Sequence, residues 1–293
     1  MQKIFSFVLI LFASITIQAQ NSFWKKSDTL NLKKRKIIVI TESSAYAASI
    51  IGLNQLWYAN YPKSSLHSIN DNREWLQMDK IGHAMTAYYV GKIGMELIGW
   101  TGDTKKNQLI YGATLGFAFL TTVEVLDGFS KQWGFSTGDI VANASGTVLV
   151  VGQELLWNEQ RIQLKYSFHQ THYANIRPSL LGSNFMEQSL KDYNGQTYWL
   201  SANLHSFSKN SKIPKWLNLA FGYGAENMIT GIALENDNRY RQFYLSLDLD
   251  LTKVKTKSKF LKTLCSTINF IKIPAPTLSY SSKEKFKFHL LYF

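Results

Sequence analysis

Three pairs of polar side chains stand at helical spacing in the first half of the sequence: Asp79 with His83, Glu124 with Asp127, and Asp139 with Asn143. Separations of three or four residues place both members of a pair on one face of an α-helix. Carboxylates, an amide oxygen and one imidazole make a ligand set for a hard or borderline divalent ion. The same groups suit acid–base work equally, because adjacent buried carboxylates push one pKa upward and leave a proton donor. Lys80 adds a cation able to pair with a phosphate. The candidate metal ligands are therefore Asp79, His83, Glu124, Asp127, Asp139 and Asn143, and the candidate catalytic groups are His83, Lys80, Glu124 and Asp139. Plainer roles compete. Ser136-x-x-Asp139 matches a helix capping box, a lone histidine near a helix start is commonly structural, and Glu124 with Asp127 would suit a solvated helix end. The case for a shared site is that the pairs fall on consecutive apolar helices, where buried charge persists when it is paired or used.

Four apolar segments must position these groups. Lys33-Lys34-Arg35-Lys36 abuts the first, Ile37 to Tyr58, in the manner of a membrane boundary. Asp71-x-x-Glu74 reads as a cap for the second, helical from Trp75 to about Trp100, with Gly82, Gly91 and Gly94 along it. Glycine is costly in a water-exposed helix but common where helices pack closely in lipid. The third runs from Leu109 to about Phe129, and the fourth from about Thr137 to Trp157, with Ala142, Ala144, Gly146 and Gly152 giving it small faces. Short connections make these antiparallel neighbours. In such an up-down bundle the start of the second helix, the end of the third and the start of the fourth share one end, so the three pairs are expected to converge, with close helix approach at Gly146.

The formal net charge of +12 is unevenly placed: residues 1–159 hold 14 Lys and Arg against 12 Asp and Glu, whereas 160–293 hold 18 against 8. Basic surface suits anionic lipid or nucleic acid. Lys3, the apolar run Ile4 to Ile17 and Gln18-Ala19-Gln20 form an export signal with cleavage after Ala19, which decides for lipid and against nucleic acid. No cysteine lies near that cleavage point, so a lipoprotein anchor there is excluded. The single cysteine, Cys265, rules out an intrachain disulfide and reads as a small buried apolar residue.

Beyond Glu159 the texture becomes strand-like at Tyr198 to Phe207, Trp216 to Tyr223, Arg241 to Leu251 and Lys285 to Phe293. The clearest alternation is Phe243, Leu245, Leu247, Leu249 and Leu251. Four or five strands fall short of an outer-membrane barrel, so a small sheet packed on the helices is expected. Lys253, Lys255, Lys257, Lys259 and Lys262 overlap Phe260, Leu261, Leu264, Ile268 and Ile271 at helical spacing. That pattern suits an interfacial helix on anionic lipid, or an amphipathic helix covering the sheet. No P-loop, dinucleotide fingerprint, HExxH or zinc-type Cys/His spacing is present.

The composite D-K-x-x-H, E-x-x-D-G and G-F-S-x-x-D-x-x-A-N-x-x-G, over about residues 37–160, resembles the YfiM-like family of predicted periplasmic proteins. More distantly it is similar to the VanZ-like membrane proteins, which usually show Gln and Arg where this chain has Asp127-Gly128 and Lys131. The resemblance implies that Asp79, Lys80, His83, Glu124, Asp127, Asp139 and Asn143 are the marked positions; it carries no reaction. The expected fold class is α+β: a signal peptide at 1–19, a membrane-embedded four-helix bundle at 33–159, and a basic, small antiparallel β region with an amphipathic helix at 160–293. The expected protein is exported to the periplasm or an envelope membrane, the outer membrane included. Its polar site would hold a divalent metal ion and act on a lipid-linked or phosphorylated envelope substrate, with anionic membrane lipid as partner; the alternative is a non-catalytic envelope scaffold or lipid-binding protein.

Overall fold

The computed structural model describes residues 25–59, 61–208, 212–232 and 238–293; the signal peptide expected at 1–19 lies outside them. Asn31 accepts from Lys34 N and opens α1, Leu32–Leu53, which a π-helical turn, Asn54–Tyr58, prolongs. The basic cluster thus lies inside the first turns of the helix rather than ahead of it. Lys34 is buried over the Trp100 ring, and Arg35 pairs with Asp103. Helix α2, Met78–Trp100, begins three residues later than the sequence suggests. Trp75, Leu76 and Gln77 have φ of 47°, 50° and 66°, a left-handed run that cannot continue a right-handed helix. Helix α3, Lys105–Gly128, contains a π-helical stretch at Gln108–Ala113, and α4 is Thr137–Trp157. Two short strands, β1 (Ser68–Ile69) and β2 (Phe135–Ser136), pair in parallel and tie the segment before α2 to the start of α4.

Helix α2 packs against α3 and α4 and touches α1. It approaches them backbone to backbone through glycine. A Cβ on Gly116 would stand 2.2 Å from Ala87 O, and one on Gly146 2.0 Å from Ala84 O. Of the small residues read from the sequence, Gly91, Gly94 and Gly146 lie at close α2 contacts, whereas Gly152 meets nothing within 4 Å.

The second half forms one antiparallel six-stranded meander in chain order: β3 (Ile162–Phe168), β4 (Gln196–Asn203), β5 (Leu217–Glu226), β6 (Tyr240–Leu249), β7 (Ala275–Ser281) and β8 (Lys285–Tyr292). Helix α5, Lys259–Ile268, lies between β6 and β7. The α+β class holds, but the sheet is larger than expected: β3 and β7 are additions to the strands legible in the sequence. The face opposite the one that meets α2 is polar and buried. Lys165 Nζ lies 2.8 Å from Asp248 Oδ2, Ser201 Oγ donates to the same oxygen at 2.6 Å, and Asn218 Nδ2 donates to Ser201 Oγ at 2.9 Å, all four side chains being fully buried.

Glycine at the α2–α4 crossing makes a paired prediction. Gly146→Val should cost several kcal/mol, because its branched side chain meets backbone that cannot step aside. Gly152→Ala, with open space around it, should gain up to ~1 kcal/mol of helix stability. Thermal unfolding of the two variants beside the wild type reads both signs.

Candidate functional site

The end of the helical half nearest the β1–β2 pair gathers most of the candidate side chains. Its centre is Lys80, in the first turn of α2, whose Nζ lies 2.6 Å from Asp71 Oδ2, 2.8 Å from Asp139 Oδ1 and 3.2 Å from Asp79 Oδ2. One turn on, His83 Nδ1 is 3.0 Å from Asn143 Oδ1 and 3.8 Å from Glu124 Oε1. His83 Nε2 is 3.9 Å from both Asp79 Oδ1 and Asp139 Oδ1. Glu124, Asp139 and Asn143 are buried, whereas Asp79, Lys80 and His83 keep partial access to solvent. Asp79, His83 and Asp139 each offer one ligand atom, and these atoms all lie within 4.8 Å of one another.

Local sequence explains how each group is held. Asp139 N donates to Ser136 Oγ at 3.1 Å, so the capping serine is real. Ser136 does more than cap: its hydroxyl donates to Asp71 Oδ1 at 2.6 Å, and its N–H donates to Glu124 Oε2 at 3.1 Å. The left-handed run ahead of α2 is pinned from the sheet side. Tyr223 OH donates to Leu76 O at 2.5 Å, Arg241 Nη2 to Gln77 Oε1 at 2.7 Å, and Trp75 N to Gly231 O at 2.9 Å. Non-glycine residues there cost of order 1 kcal/mol each and persist only where surrounding contacts over-determine them. The result is an abrupt helix start that delivers Asp79 and Lys80 to the cluster.

Asp127 stands apart from the ligand group: its partner is Tyr58 OH at 2.7 Å. Three contributors escaped the sequence reading. Asp71 reads locally as a cap, yet its side chain goes to Lys80 and Ser136 while its backbone oxygen accepts from Glu74 N. Tyr193 OH donates to Asp79 Oδ1 at 3.0 Å across 114 residues, a separation that no local pattern signals. Tyr58 closes Asp127 in the same way. Burial, then the neighbouring carboxylates, hold the Tyr193 and Tyr58 phenols well above their ordinary range, so both act as donors. Burial pushes the Asp71 carboxyl up, but hydrogen bonds from Lys80 and Ser136 and the Lys80 charge outweigh it and hold it below the usual carboxylate range.

Four carboxylates (Asp71, Asp79, Glu124 and Asp139) thus face one ammonium and one imidazole. Such an excess of acid favours a further cation or shared protons. Asn143 Nδ2 is buried without a hydrogen-bond partner among the described residues.

Residues 69–153 match the family described as "Predicted periplasmic lipoprotein (DUF2279)". The matched stretch is under a third of the chain and runs from β1 through most of α4. It holds every candidate residue named from the sequence, together with Asp71 and Ser136. The chain is thus similar, over its site-bearing part, to a periplasmic family, and it is an exported protein of the periplasm or cell envelope. The description also says lipoprotein, whereas the sequence has one cysteine, Cys265, partly buried in α5. Neither a curated protein nor a solved structure matches the chain.

Asp71 and Ser136 supply a test of the geometry. Ser136→Ala should cost ~1–2 kcal/mol, because it removes the cap on α4 and an Asp71 partner together. A carboxyl lowered on folding adds stability that is fully present above its ordinary range and is lost as pH falls through the folded value. Melting temperature followed from about pH 5 to about pH 2 should therefore drop less steeply in Asp71→Asn than in the wild type, the variant starting lower at neutral pH.

Proposed function

We propose that this envelope protein binds a divalent cation between Asp79, His83 and Asp139, and acts through it on a lipid-linked or phosphorylated envelope substrate. The observation that carries the reading is the setting of His83. Its Nδ1 lies 3.0 Å from Asn143 Oδ1, so Nε2 is the nitrogen turned toward the Asp79 and Asp139 carboxylates at 3.9 Å each, the one an ion would take in place of a proton. An imidazole whose second nitrogen is fixed by an amide or carboxylate is the usual form of a histidine ligand. Ligand atoms sharing one small ion at ~2.1 Å sit about 3.0–3.4 Å apart. Completing the site therefore needs each His83–carboxylate distance to close by roughly half an ångström, and a pair at the 4.8 Å limit of the group by more than ~1 Å. Asn143, Ser136 and Tyr193 then serve as the supports that orient the ligands. A bound ion would supply Lewis acidity and an activated water, which makes hydrolysis or transfer at a phosphoryl group the matching reaction class.

Lys80 fixes the terms of binding. Its ammonium already sits on Asp139 Oδ1, the oxygen an ion would need, and Asp71 offers it a second seat at 2.6 Å. In this reading lysine and metal compete, and the lysine withdraws to Asp71 when the ion enters. Three of the helices, α1, α3 and α4, are long and apolar enough to cross a membrane by length and composition, which supports the membrane-embedded setting expected for this half.

The scaffold reading has its own observation: Asp71, Asp79, Glu124 and Asp139 all have partners within the protein. The two readings differ in what purified protein holds. Elemental analysis after dialysis, followed by titration with Mn²⁺, Mg²⁺ and Zn²⁺, should show a saturable site that His83→Ala and Asp139→Asn lose while remaining folded. Lys80→Met should bind the ion at least tenfold more tightly, because its competitor is gone. Metal-free protein with unaltered Lys80→Met behaviour, and melting lowered by each substitution, would leave the cluster as a structural lock.

A further inference from the structure

We infer that the apolar face of the six-stranded sheet, where α2 leaves it uncovered, is a lipid-facing wall in contact with the acyl chains of a bilayer. This proposal does not depend on the cation site. A water-soluble antiparallel sheet turns apolar residues to its core and polar ones to solvent. Here the alternation is inverted. Leu219, Phe221, Leu245, Leu247, Leu278 and Tyr280 face outward at 39–52% exposure. Their strand neighbours Ala220, Ser246, Asp248, Thr277 and Ser279 are buried, Asp248 with the fully buried Lys165 and Lys272 beside it. Large apolar residues outside and ions inside is the pattern of strands bathed in hydrocarbon.

Dimensions and one of the two edges agree. Strands β5 and β6 have 10 residues each, ~33 Å of extended chain, and the 21 residues of α4 give ~32 Å of helix, both close to the ~30 Å hydrocarbon layer. In hydrocarbon an open strand edge leaves backbone groups without partners at several kcal/mol each. The β3 edge is covered by side chains from the helices. Gln153 accepts from Ile162 N at 2.7 Å and donates to Ile162 O at 2.9 Å, and Tyr89 OH donates to Leu164 O. The chain just after α5 completes the cover, with Phe270 O accepting from Tyr166 N and Tyr166 O accepting from Lys272 N. The opposite edge, β8, is the open one: it alternates Lys285 and Lys287 with Phe286 and Phe288, lysines that guard an edge against strand addition in water but do not satisfy its backbone groups in hydrocarbon.

The helices also expose apolar residues: Val141, Val148 and Leu155 on α4, and Ile40 and Ile51 on α1. At the end of the sheet where β6 stops, α5 has no buried residue. It leaves Phe260, Leu261 and Leu264 exposed beside Lys255, Lys257 and Lys259, so it does not cover the sheet as a packed amphipathic helix would. An amphipathic basic helix there complements the anionic headgroups that border an acyl layer. An acyl-chain occupant therefore accounts for the sheet face, the sealed edge and the basic rim together.

Spin labels on the full exported chain test this directly. In a Cys265→Ser background, labels at Leu245→Cys and Leu278→Cys would be placed in bilayers of phosphatidylethanolamine and phosphatidylglycerol, with Ser183→Cys in an exposed loop as control. These positions are exposed, so the labels leave the core intact. Oxygen, which concentrates in acyl chains, should relax the labels at 245 and 278 several-fold more than a water-soluble nickel chelate does, with the reverse order at 183. A preference for nickel at 245 and 278 would show a water-facing sheet. Exclusion of both reagents there would show a protein partner or a second copy on the face. Either result overturns the proposal.

Discussion

The Lys80 ammonium, enclosed by Asp71, Asp79 and Asp139, is the contact on which the helical half closes. Those carboxylates come from the segment before α2, from α2 itself and from the first turn of α4. Partly desolvated charges this close are strongly coupled: removing the lysine leaves an acid cluster, and removing one acid leaves the others under-screened. The contact can form only because α2 and α4 approach through Gly146 with no side chain between them. Charge pairing at one end and close backbone packing along the axis are thus two halves of one constraint.

The sheet enters the site through its aromatic residues. Tyr223 and Arg241 hold the left-handed turn that aims α2, Tyr193 reaches Asp79, and the Tyr198 hydroxyl would stand 3.0 Å from a Cβ on Gly82. The contacts of Tyr198, Tyr223 and Arg241 come from the sheet's apolar face, and its polar side chains, Lys165, Ser201 and Asp248 among them, are buried on the opposite face. Such an arrangement reverses the usual hydrophobic economy of a soluble domain. It is the observation on which the proposal of a lipid-facing wall rests.

Much of this was legible in the sequence, for identifiable reasons. Helical spacing is a local property, so Asp79 with His83 and Asp139 with Asn143 could be placed on single faces, and short connections were enough to bring the three pair-bearing ends together. What escaped was non-local or ambiguous. Asp71 satisfies a capping pattern that hides its ion pair, and Tyr58 and Tyr193 approach from distant chain positions. Asp127, paired with Tyr58, shows that spacing puts a group on a face without saying what meets it. In the sheet, β3 alternates Ile162, Leu164, Tyr166 and Phe168 with Gln163, Lys165 and Ser167, yet a lysine in mid-strand reads as solvent-facing until the partner Asp248 is known. Alternation reveals two faces; it does not say which one is buried.

The central claim is that His83, Asp79 and Asp139 are joint ligands of one cation, with Asn143 holding the far nitrogen of the imidazole. Pulsed electron paramagnetic resonance of Mn²⁺ bound to protein carrying ¹⁵N-labelled histidine addresses that claim at the level of a single bond. The account predicts coupling to one directly bound imidazole nitrogen, lost in His83→Ala and kept in a variant at another histidine such as His205→Ala. A spectrum with water protons alone, or nitrogen coupling that survives His83→Ala, would contradict it.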